Sequence, residues 1–389
     1  MWKEGTDTGG DHFSHYIRSG KKLLRCGYTT GTCAALAAAG AAELLLSGKS
    51  PETVSLVTPK GIEVTSPLAE AALLDGGRSA RCAVVKDGGD DPDITNGLPV
   101  CATVRKCSPP GIRIDGGEGV GRVTRPGLDQ PVGAAAINRV PRQMIARQVE
   151  AVCGALGYGG GMEVLISIPG GAEAAERTFN PMLGIVGGLS ILGTSGIVEP
   201  MSEQAIVDTI AVQQRQAAAA GARGLLLTPG NYGEDFLRET GLDRRGFPVV
   251  KCSNFIGEAL DIAANLGFAQ VLLVGHAGKL VKLAGGIMNT HSRYADCRTE
   301  LFCAHGALCG ADRSLCRRLM EAATADACIA LLEEAGLREA VVESLLAAIQ
   351  SHLERRAAGA YETGAVMFSN EYGLLGLTER AKEMMEAWK

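Results

Sequence analysis

The chain has 389 residues, 46% hydrophobic and 21% charged, which predicts a globular protein of two or three domains. Its formal net charge of −5 argues against a nucleic-acid-binding protein, because such proteins usually carry a basic excess. The longest apolar run, residues 33–48, is shorter than the roughly 20 residues of a membrane span, and the polar start is unlike a signal peptide, so we expect a cytoplasmic protein without a membrane partner.

The first half of the chain combines two helices with several short strands. Residues 1–20 are predicted to form a flexible tail, and a helix begins at Thr30 or Thr32 and runs to Leu46. An amphipathic helix is predicted over residues 138–156. Strand-like segments bounded by Gly, Pro and Asp turns are residues 53–59, 62–67, 80–89, 100–106, 111–117 and 161–171. This pattern predicts an α+β domain over residues 21–180.

From residue 181, short and continuously apolar strands alternate with helices. The predicted strands include residues 224–230, 247–253 and 269–276. The predicted helices include residues 202–221, a short one from Glu234, residues 254–267 and further segments to about residue 357. This alternation is typical of a parallel sheet covered on both faces. We therefore predict an α/β protein of two domains, in which residues 181–389 form a Rossmann-like domain with a mainly parallel sheet.

Four loops rich in glycine and polar residues follow strand-like segments of this second domain: residues 187–200, 228–235, 251–255 and 275–292. Ligands bind beyond the carboxyl ends of parallel strands, so we expect the four loops to share one rim. The alternative is four ordinary turns. Neither a dinucleotide fingerprint nor a phosphate loop is present. The loops therefore favour a nucleoside ligand without phosphates, of which S-adenosylmethionine is the commonest cofactor.

Charged residues of the first domain suggest a site for an anion. Arg122 and Arg125 lie among glycines, and together with arginines of the following helix they are candidates for a carboxylate-binding patch, the alternative being a solvated helix face. The acidic segment 86–97 lacks the spacing of a calcium loop. We interpret it as Asp–Gly turns, or as carboxylates that orient a substrate, and we expect no protein-bound metal.

The motifs together resemble one known family. They are RCGYTTGTCAA (25–35), KDGGDDPDITNG (86–97), GVGRVTRPGLDQPVGAAAINRVPRQMI (119–145), GIVGGLSILGTSGIVEPMSEQA (184–205), KCSNFIGEALD (251–261) and VLLVGHAGKLVKLAGGIMNTHS (271–292). In this order they closely resemble the CbiD family. The resemblance implies methyl transfer from S-adenosylmethionine to ring carbon C-1 of cobalt-precorrin-5B, giving cobalt-precorrin-6A in anaerobic cobalamin biosynthesis. Alternatives are a non-catalytic corrinoid-binding carrier and a nicotinamide-dependent dehydrogenase.

Given that reaction, we assign hypothetical roles to residues of the loops. The cofactor-binding candidates are Gly193, Thr194, Ser195, Gly196, Glu199, Asn231, Tyr232 and Asn254. The candidates for the carboxylates of the corrinoid are Arg122, Arg125, Lys279 and Lys282, with Thr29 and Thr30, which could instead cap the first helix. His276 and His291 are candidates for a base or a cobalt contact, or are structural histidines. A homo-oligomer and transient contacts with neighbouring pathway enzymes are both left open.

Overall fold

The protein is described by a computed structural model that covers residues 13–19, 21–242 and 246–388. The chain divides into two compact units, Met1–Ser202 and Glu203–Lys389. This differs from the predicted boundary between residues 180 and 181, because residues 183–200 pack within the N-terminal unit. Of the predicted tail, residues 1–12 and 20 lie outside the described residues, and Tyr16–Ser19 forms a strand.

The N-terminal unit has two long helices, α1 (Thr30–Ser47) and α2 (Arg139–Ala155), and a short helix, α3 (Gly171–Ala175). Its strands are β1 (Tyr16–Ser19), β2 (Lys22–Arg25), β3 (Gly27–Tyr28), β4 (Thr53–Val57), β5 (Glu63–Pro67), β6 (Glu70–Leu74), β7 (Ser79–Val85), β8 (Pro99–Cys107), β9 (Gly111–Gly116), β10 (Gly119–Val120), β11 (Arg122–Val123), β12 (Gly161–Ser167), β13 (Ile185–Val186), β14 (Gly188–Leu189) and β15 (Ile197–Val198).

The main sheet of this unit has the strand order β6–β7–β8–β12–β9. Neighbouring strands are antiparallel except β9 and β12, which are parallel. Helix α1 packs against both the sheet and α2. Its alanine-rich sequence suits this position, because small side chains let helix and sheet approach closely. Helix α1 has the length and hydropathy of a membrane span, but 83% of it is buried within the protein, as expected of a core helix.

Residues 183–200 are tied into the N-terminal unit by three short strand pairs. Strand β13 pairs antiparallel with β11, β14 pairs parallel with β10, and β15 pairs antiparallel with β3. The pairing partners lie far away in the sequence, so the local pattern around residue 185, which reads as the start of a βα unit, did not reveal them.

The C-terminal unit contains helices α4 (Glu203–Ala219), α5 (Asn231–Thr240), α6 (Ile256–Leu266), α7 (Ala277–Leu280), α8 (Arg298–Leu308), α9 (Arg313–Glu321), α10 (Ala325–Glu334), α11 (Arg338–Ala357) and α12 (Glu379–Ala387), and a 3₁₀ helix, Val281–Gly285. Its strands are β16 (Gly224–Thr228), β17 (Val249–Lys251), β18 (Gln270–His276), β19 (Glu362–Ser369) and β20 (Gly373–Leu377).

The sheet of the C-terminal unit has the order β17–β16–β18–β19–β20. The first four strands are parallel and β20 is antiparallel, so the predicted mainly parallel sheet is confirmed. From β16 the chain first adds β17 on one side and then returns to add β18 on the other. The loops after β16, β17 and β18 therefore share one edge, as predicted for three of the four loops; residues 187–200 do not belong to this sheet.

Candidate functional site

The glycines of residues 183–200 are needed for contacts within the N-terminal unit. Gly193 has φ +128°, and a Cβ at this position would overlap the side chain of Thr29. At Gly196, with φ +81°, a Cβ would lie 2.7 Å from the Cβ of Thr58. Protein atoms thus occupy the space next to both glycines. Close approach of a cofactor is not required to explain why side chains are excluded here.

Thr29 and Thr30 hold the start of α1. The Thr29 hydroxyl accepts a hydrogen bond from the Thr32 amide at 3.3 Å, which makes Thr29 the N-cap. The Thr30 hydroxyl donates to the Ser190 carbonyl at 3.3 Å and accepts from the Leu192 amide at 3.0 Å. Both threonines are only 5% exposed. The two predicted roles were capping of the first helix and binding of a carboxylate. Thr29 caps the helix, and Thr30 attaches residues 190–192, a role that was not predicted.

The other cofactor candidates of this segment also have protein contacts. Glu199 forms an ion pair with Lys60. The Ser195 hydroxyl donates to the Ile197 carbonyl at 3.0 Å. Thr194 is exposed and borders a groove of about 280 Å³ between the β4–β5 hairpin and α2. Of the polar cofactor candidates Thr194, Ser195 and Glu199, only Thr194 has a side chain without a hydrogen bond to the described residues.

Two carboxylates of the acidic segment 86–97 are paired with cations. Asp87 accepts two hydrogen bonds from the Arg25 guanidinium, at 2.6 and 2.8 Å, and Asp93 pairs with the buried Lys86 at 2.9 Å. Burial acts to raise the pKa of Asp87, but hydrogen bonds from Arg25 and from the Gly89 amide outweigh it and lower the pKa. These contacts match the interpretation of the segment as structured Asp–Gly turns.

The two arginines proposed for the corrinoid differ in their surroundings. Arg122 forms a two-pronged pair with Asp115 at 2.7 and 3.1 Å and also donates to the Gly116 carbonyl at 2.7 Å. Arg125 is exposed and makes one long hydrogen bond, of 3.4 Å, to the Met182 carbonyl. Of these two arginines, Arg122 is neutralised by Asp115, whereas no carboxylate of the described chain pairs with Arg125.

At the carboxyl edge of the parallel sheet, the loops after β16 and β17 bring several polar side chains together. Asn231 accepts a hydrogen bond from Lys251, and the ring of Tyr232 lies 5.9 Å from the ring of His276. Tyr232 is 60% exposed. The Asn254 side chain accepts from the Thr290 hydroxyl at 3.2 Å. The three cofactor candidates that follow β16 and β17 thus lie on loops at the same edge of the sheet.

Lys279 and Lys282 serve different purposes. Lys282 is 2% exposed, and its ammonium donates to the carbonyls of Thr290 at 3.0 Å and Ala295 at 2.8 Å, so it holds the following loop and is unavailable to a substrate. Lys279 donates to the Ser253 carbonyl at 3.3 Å and lies next to Gly230, the residue that precedes α5. Burial lowers the pKa of Lys279, and no carboxylate of the residues described here pairs with it.

The two candidate histidines both form local turns. His276 Nδ1 accepts from the Gly278 amide at 3.1 Å, and Nε2 lies 3.7 Å from Asp326. Burial lowers the pKa of His276, although Asp326 acts to raise it. His291 Nδ1 accepts from the Arg293 amide at 3.1 Å. A proton on Nδ1 of either ring would replace an acceptor with a donor and break the turn. While Nδ1 accepts, the neutral ring carries its proton on Nε2, so neither nitrogen is free to act as a base.

Three residues at this edge were not predicted from the sequence. Lys251 ends β17, a strand of only three residues, and Ser253 follows it. Asp326 is separated from its neighbour His276 by three α-helices and the 3₁₀ helix. No local pattern connects Asp326 to the edge. In the part of the chain that the structure describes, no group of three or more His, Cys, Asp or Glu side chains is arranged to hold a metal ion.

Comparisons with known proteins give the family. The model of the family CbiD matches residues 17–200, and the model described as CbiD, C-terminal domain, matches residues 289–379. A crystal structure of a cobalamin biosynthesis protein (CbiD) from Archaeoglobus fulgidus is 28% identical, with a TM-score of 0.39, and the match covers 73% of this chain and 87% of that chain.

Curated relatives match over nearly the whole length. A cobalt-precorrin-5B C(1)-methyltransferase from Ruminiclostridium cellulolyticum is 48% identical over 91% of this chain and 91% of the relative. One of the same name from Alkaliphilus metalliredigens is 43% identical over 96% of this chain and 97% of the relative. The predicted resemblance is confirmed: the chain belongs to the CbiD family.

Proposed function

We propose that the protein is an S-adenosylmethionine-dependent methyltransferase that methylates ring carbon C-1 of cobalt-precorrin-5B, giving cobalt-precorrin-6A in anaerobic cobalamin biosynthesis in the cytoplasm. Relatives named for this reaction match over more than nine-tenths of both chains. The reaction needs a methyl donor. The missing dinucleotide and phosphate-loop patterns are consistent with a donor that has no phosphates.

In this proposal the C-terminal unit is a Rossmann-like domain that binds the donor. In an open parallel sheet the ligand crevice lies where the strand order reverses, at the carboxyl edge. Here the reversal falls between β16 and β18, because β17 lies on one side of β16 and β18 on the other. The loops at this point carry Tyr232 and Lys279.

The observation that carries the proposal is the ammonium of Lys279 beside the start of α5, which no carboxylate of the described residues neutralises. A Cβ on Gly230 would lie 3.3 Å from Lys279 Nζ, so the ammonium is close to the first turn of the helix. Free amides at a helix start and a lysine both favour a carboxylate, and the methionyl part of the donor carries one. The exposed Tyr232 ring offers a surface for the adenine, and Asn254 a partner for the ribose.

The chemistry requires positioning more than proton transfer. The donor supplies an activated methyl group, and the corrinoid supplies the carbon that attacks it. Holding reactants in line accounts for about 7–11 kcal/mol of barrier lowering in favourable cases. Tyr232, Asn254 and Lys279 would hold the donor, and His276, whose Nδ1 accepts from a backbone amide, would shape the loop after β18.

The candidates on residues 193–199 are left out of this donor site. Gly193 and Gly196 are covered by Thr29 and Thr58, and Glu199 is neutralised by Lys60. These residues were predicted to bind the donor because their loop was expected to share a rim with the parallel sheet. Residues 193–199 belong instead to the N-terminal unit.

Calorimetric titration with two donor fragments tests the proposal. S-adenosylhomocysteine keeps the methionyl carboxylate, whereas 5′-methylthioadenosine lacks the amino-acid part. We expect Lys279→Met to weaken S-adenosylhomocysteine about tenfold, the equivalent of one charge-assisted hydrogen bond, and to leave 5′-methylthioadenosine unchanged. Lys382→Met, on the exposed side of α12, is the matched control.

Equal losses for both ligands would show that Lys279 acts through the fold, and no loss would place the carboxylate elsewhere. If the unchanged protein binds neither fragment but binds corrinoids, the non-catalytic carrier is the correct function.

A further inference from the structure

One exposed surface of the N-terminal unit combines apolar side chains with an unneutralised arginine. Phe179 and Met182 are 59% and 63% exposed and lie in the turn formed by residues 179–184. Val186, which is 57% exposed, lies on the adjoining strand β13. Large apolar side chains clustered on a surface mark sites of interaction. With Arg125, whose guanidinium reaches the Met182 carbonyl, these residues form what we call the Arg125 face.

The turn that presents these side chains is firmly held. Asn180 is buried; its amide nitrogen donates to the Gly188 carbonyl at 3.1 Å, and its amide oxygen accepts from the Ser190 hydroxyl at 3.3 Å. The Leu183 amide donates to the Phe179 carbonyl at 3.0 Å. The exposed apolar side chains therefore project from an ordered frame, which reduces the entropy lost when a ligand binds.

Arg125 is also fixed in place without being neutralised. A Cβ on Gly184, which has φ +67°, would lie 2.6 Å from Arg125 Cγ, so the arginine stem lies directly over this glycine. Along the described chain no carboxylate pairs with Arg125, in contrast to Arg122 and its partner Asp115. A fixed guanidinium with free donors is suited to a two-pronged contact with a carboxylate.

We propose that the Arg125 face binds the corrinoid substrate, with the apolar side chains against the macrocycle and the guanidinium on a carboxylate at its rim. A corrinoid has apolar ring faces and acetate and propionate groups at its edge, so it matches both features. This inference deepens the proposed function by naming a substrate-binding surface, and it rests on the corrinoid substrate of that function but not on the position of the donor.

The test uses cobyrinic acid, a cobalt corrinoid with free carboxylates, and its fully methyl-esterified form, titrated calorimetrically into the full-length protein. We expect Arg125→Met to weaken cobyrinic acid about tenfold and to leave the ester unchanged, because only the acid offers a charge to the guanidinium. We expect Met182→Ser to weaken both ligands, because both keep the apolar macrocycle.

Arg147 supplies the matched control. It is an exposed arginine of the same unit, on α2, and it borders the groove beside the β4–β5 hairpin. Arg147→Met should leave both affinities unchanged. A loss with Arg147→Met but not with Arg125→Met would move the substrate to that groove and overturn the proposal.

Two further outcomes contradict the inference in different ways. If Met182→Ser changes the sedimentation mass of the protein without changing corrinoid affinity, the Arg125 face is a contact between copies of the chain. If the unchanged protein binds neither corrinoid while S-adenosylhomocysteine still binds, the substrate of the proposed function itself is wrong.

Discussion

At the scale of single residues, Gly193 shows how a missing side chain serves internal packing. Its φ of +128° is costly for any other residue, and the Thr29 side chain fills the space where a Cβ would stand. Thr29 is in turn the N-cap of α1. Gly193 therefore lets residues 190–196 lie against the start of the core helix.

We predict that Gly193→Ala lowers the free energy of unfolding by about 2–5 kcal/mol, the sum of backbone strain and overlap with Thr29. Gly187→Ala is the control, because Gly187 also has a positive φ, +82°, but has open space around it. It should cost only the strain, about 1–2 kcal/mol. Urea unfolding of both variants measures the difference; equal costs would contradict the contact with Thr29.

His276 gives a prediction on pH. Burial lowers its folded pKa below the ordinary value of 6.5, so between the two values the unfolded chain binds more protons. The contribution of His276 to stability is therefore complete above about pH 6.5 and is lost as the pH falls through the folded pKa. His276→Asn keeps an acceptor for the Gly278 amide but cannot titrate.

We expect the free energy of unfolding of the unchanged protein to fall more steeply than that of His276→Asn between about pH 7 and pH 5, measured by urea unfolding at each pH. Parallel curves for the unchanged protein and His276→Asn would show that His276 has no depressed pKa.

At the scale of elements, Lys282 connects the 3₁₀ helix to the long loop after it. Its buried ammonium satisfies the carbonyls of Thr290 and Ala295, and Thr290 in turn contacts Asn254. Lys282→Met leaves both carbonyls without this donor, and the loss at the buried Thr290 carbonyl costs about 1–3 kcal/mol. We predict amide hydrogen exchange roughly ten- to a hundredfold faster in residues 286–297, whereas Lys382→Met should leave the exchange there unchanged.

The elements also show what a single sequence can predict. Strands β16, β17 and β18 were predicted because each is short, apolar and followed by a helix, and this local pattern also located their carboxyl ends. Residues 183–200 look locally similar, but their partners β3, β10 and β11 come from distant parts of the chain. Strand β6 (EAALL) has no alternation of apolar and polar residues, so nothing in its pattern favoured a strand.

At the scale of the whole molecule, the predicted family is confirmed, and the first family model ends at residue 200, next to the boundary of the N-terminal unit. The sequence motifs therefore divide between two units with separate cores. Much of the glycine in the N-terminal motifs is explained by close backbone packing, for example of Gly119 against the Ile168 carbonyl and of Gly188 against Gly119. The C-terminal motifs include the segments at the carboxyl ends of β16, β17 and β18.

This division predicts where the donor protects the chain. With saturating S-adenosylhomocysteine, we expect amide hydrogen exchange in the full-length protein to slow at residues 228–234, 251–256 and 275–282. These segments lie at the carboxyl ends of β16, β17 and β18, where we propose that the donor binds. Residues 190–200 should exchange at an unchanged rate, since they belong to the N-terminal unit and the proposed donor site does not include them. Lys279→Met at the same ligand concentration is the control and should reduce the protection in all three segments. Protection confined to residues 190–200 would assign the donor to the N-terminal unit and contradict the site at the sheet edge.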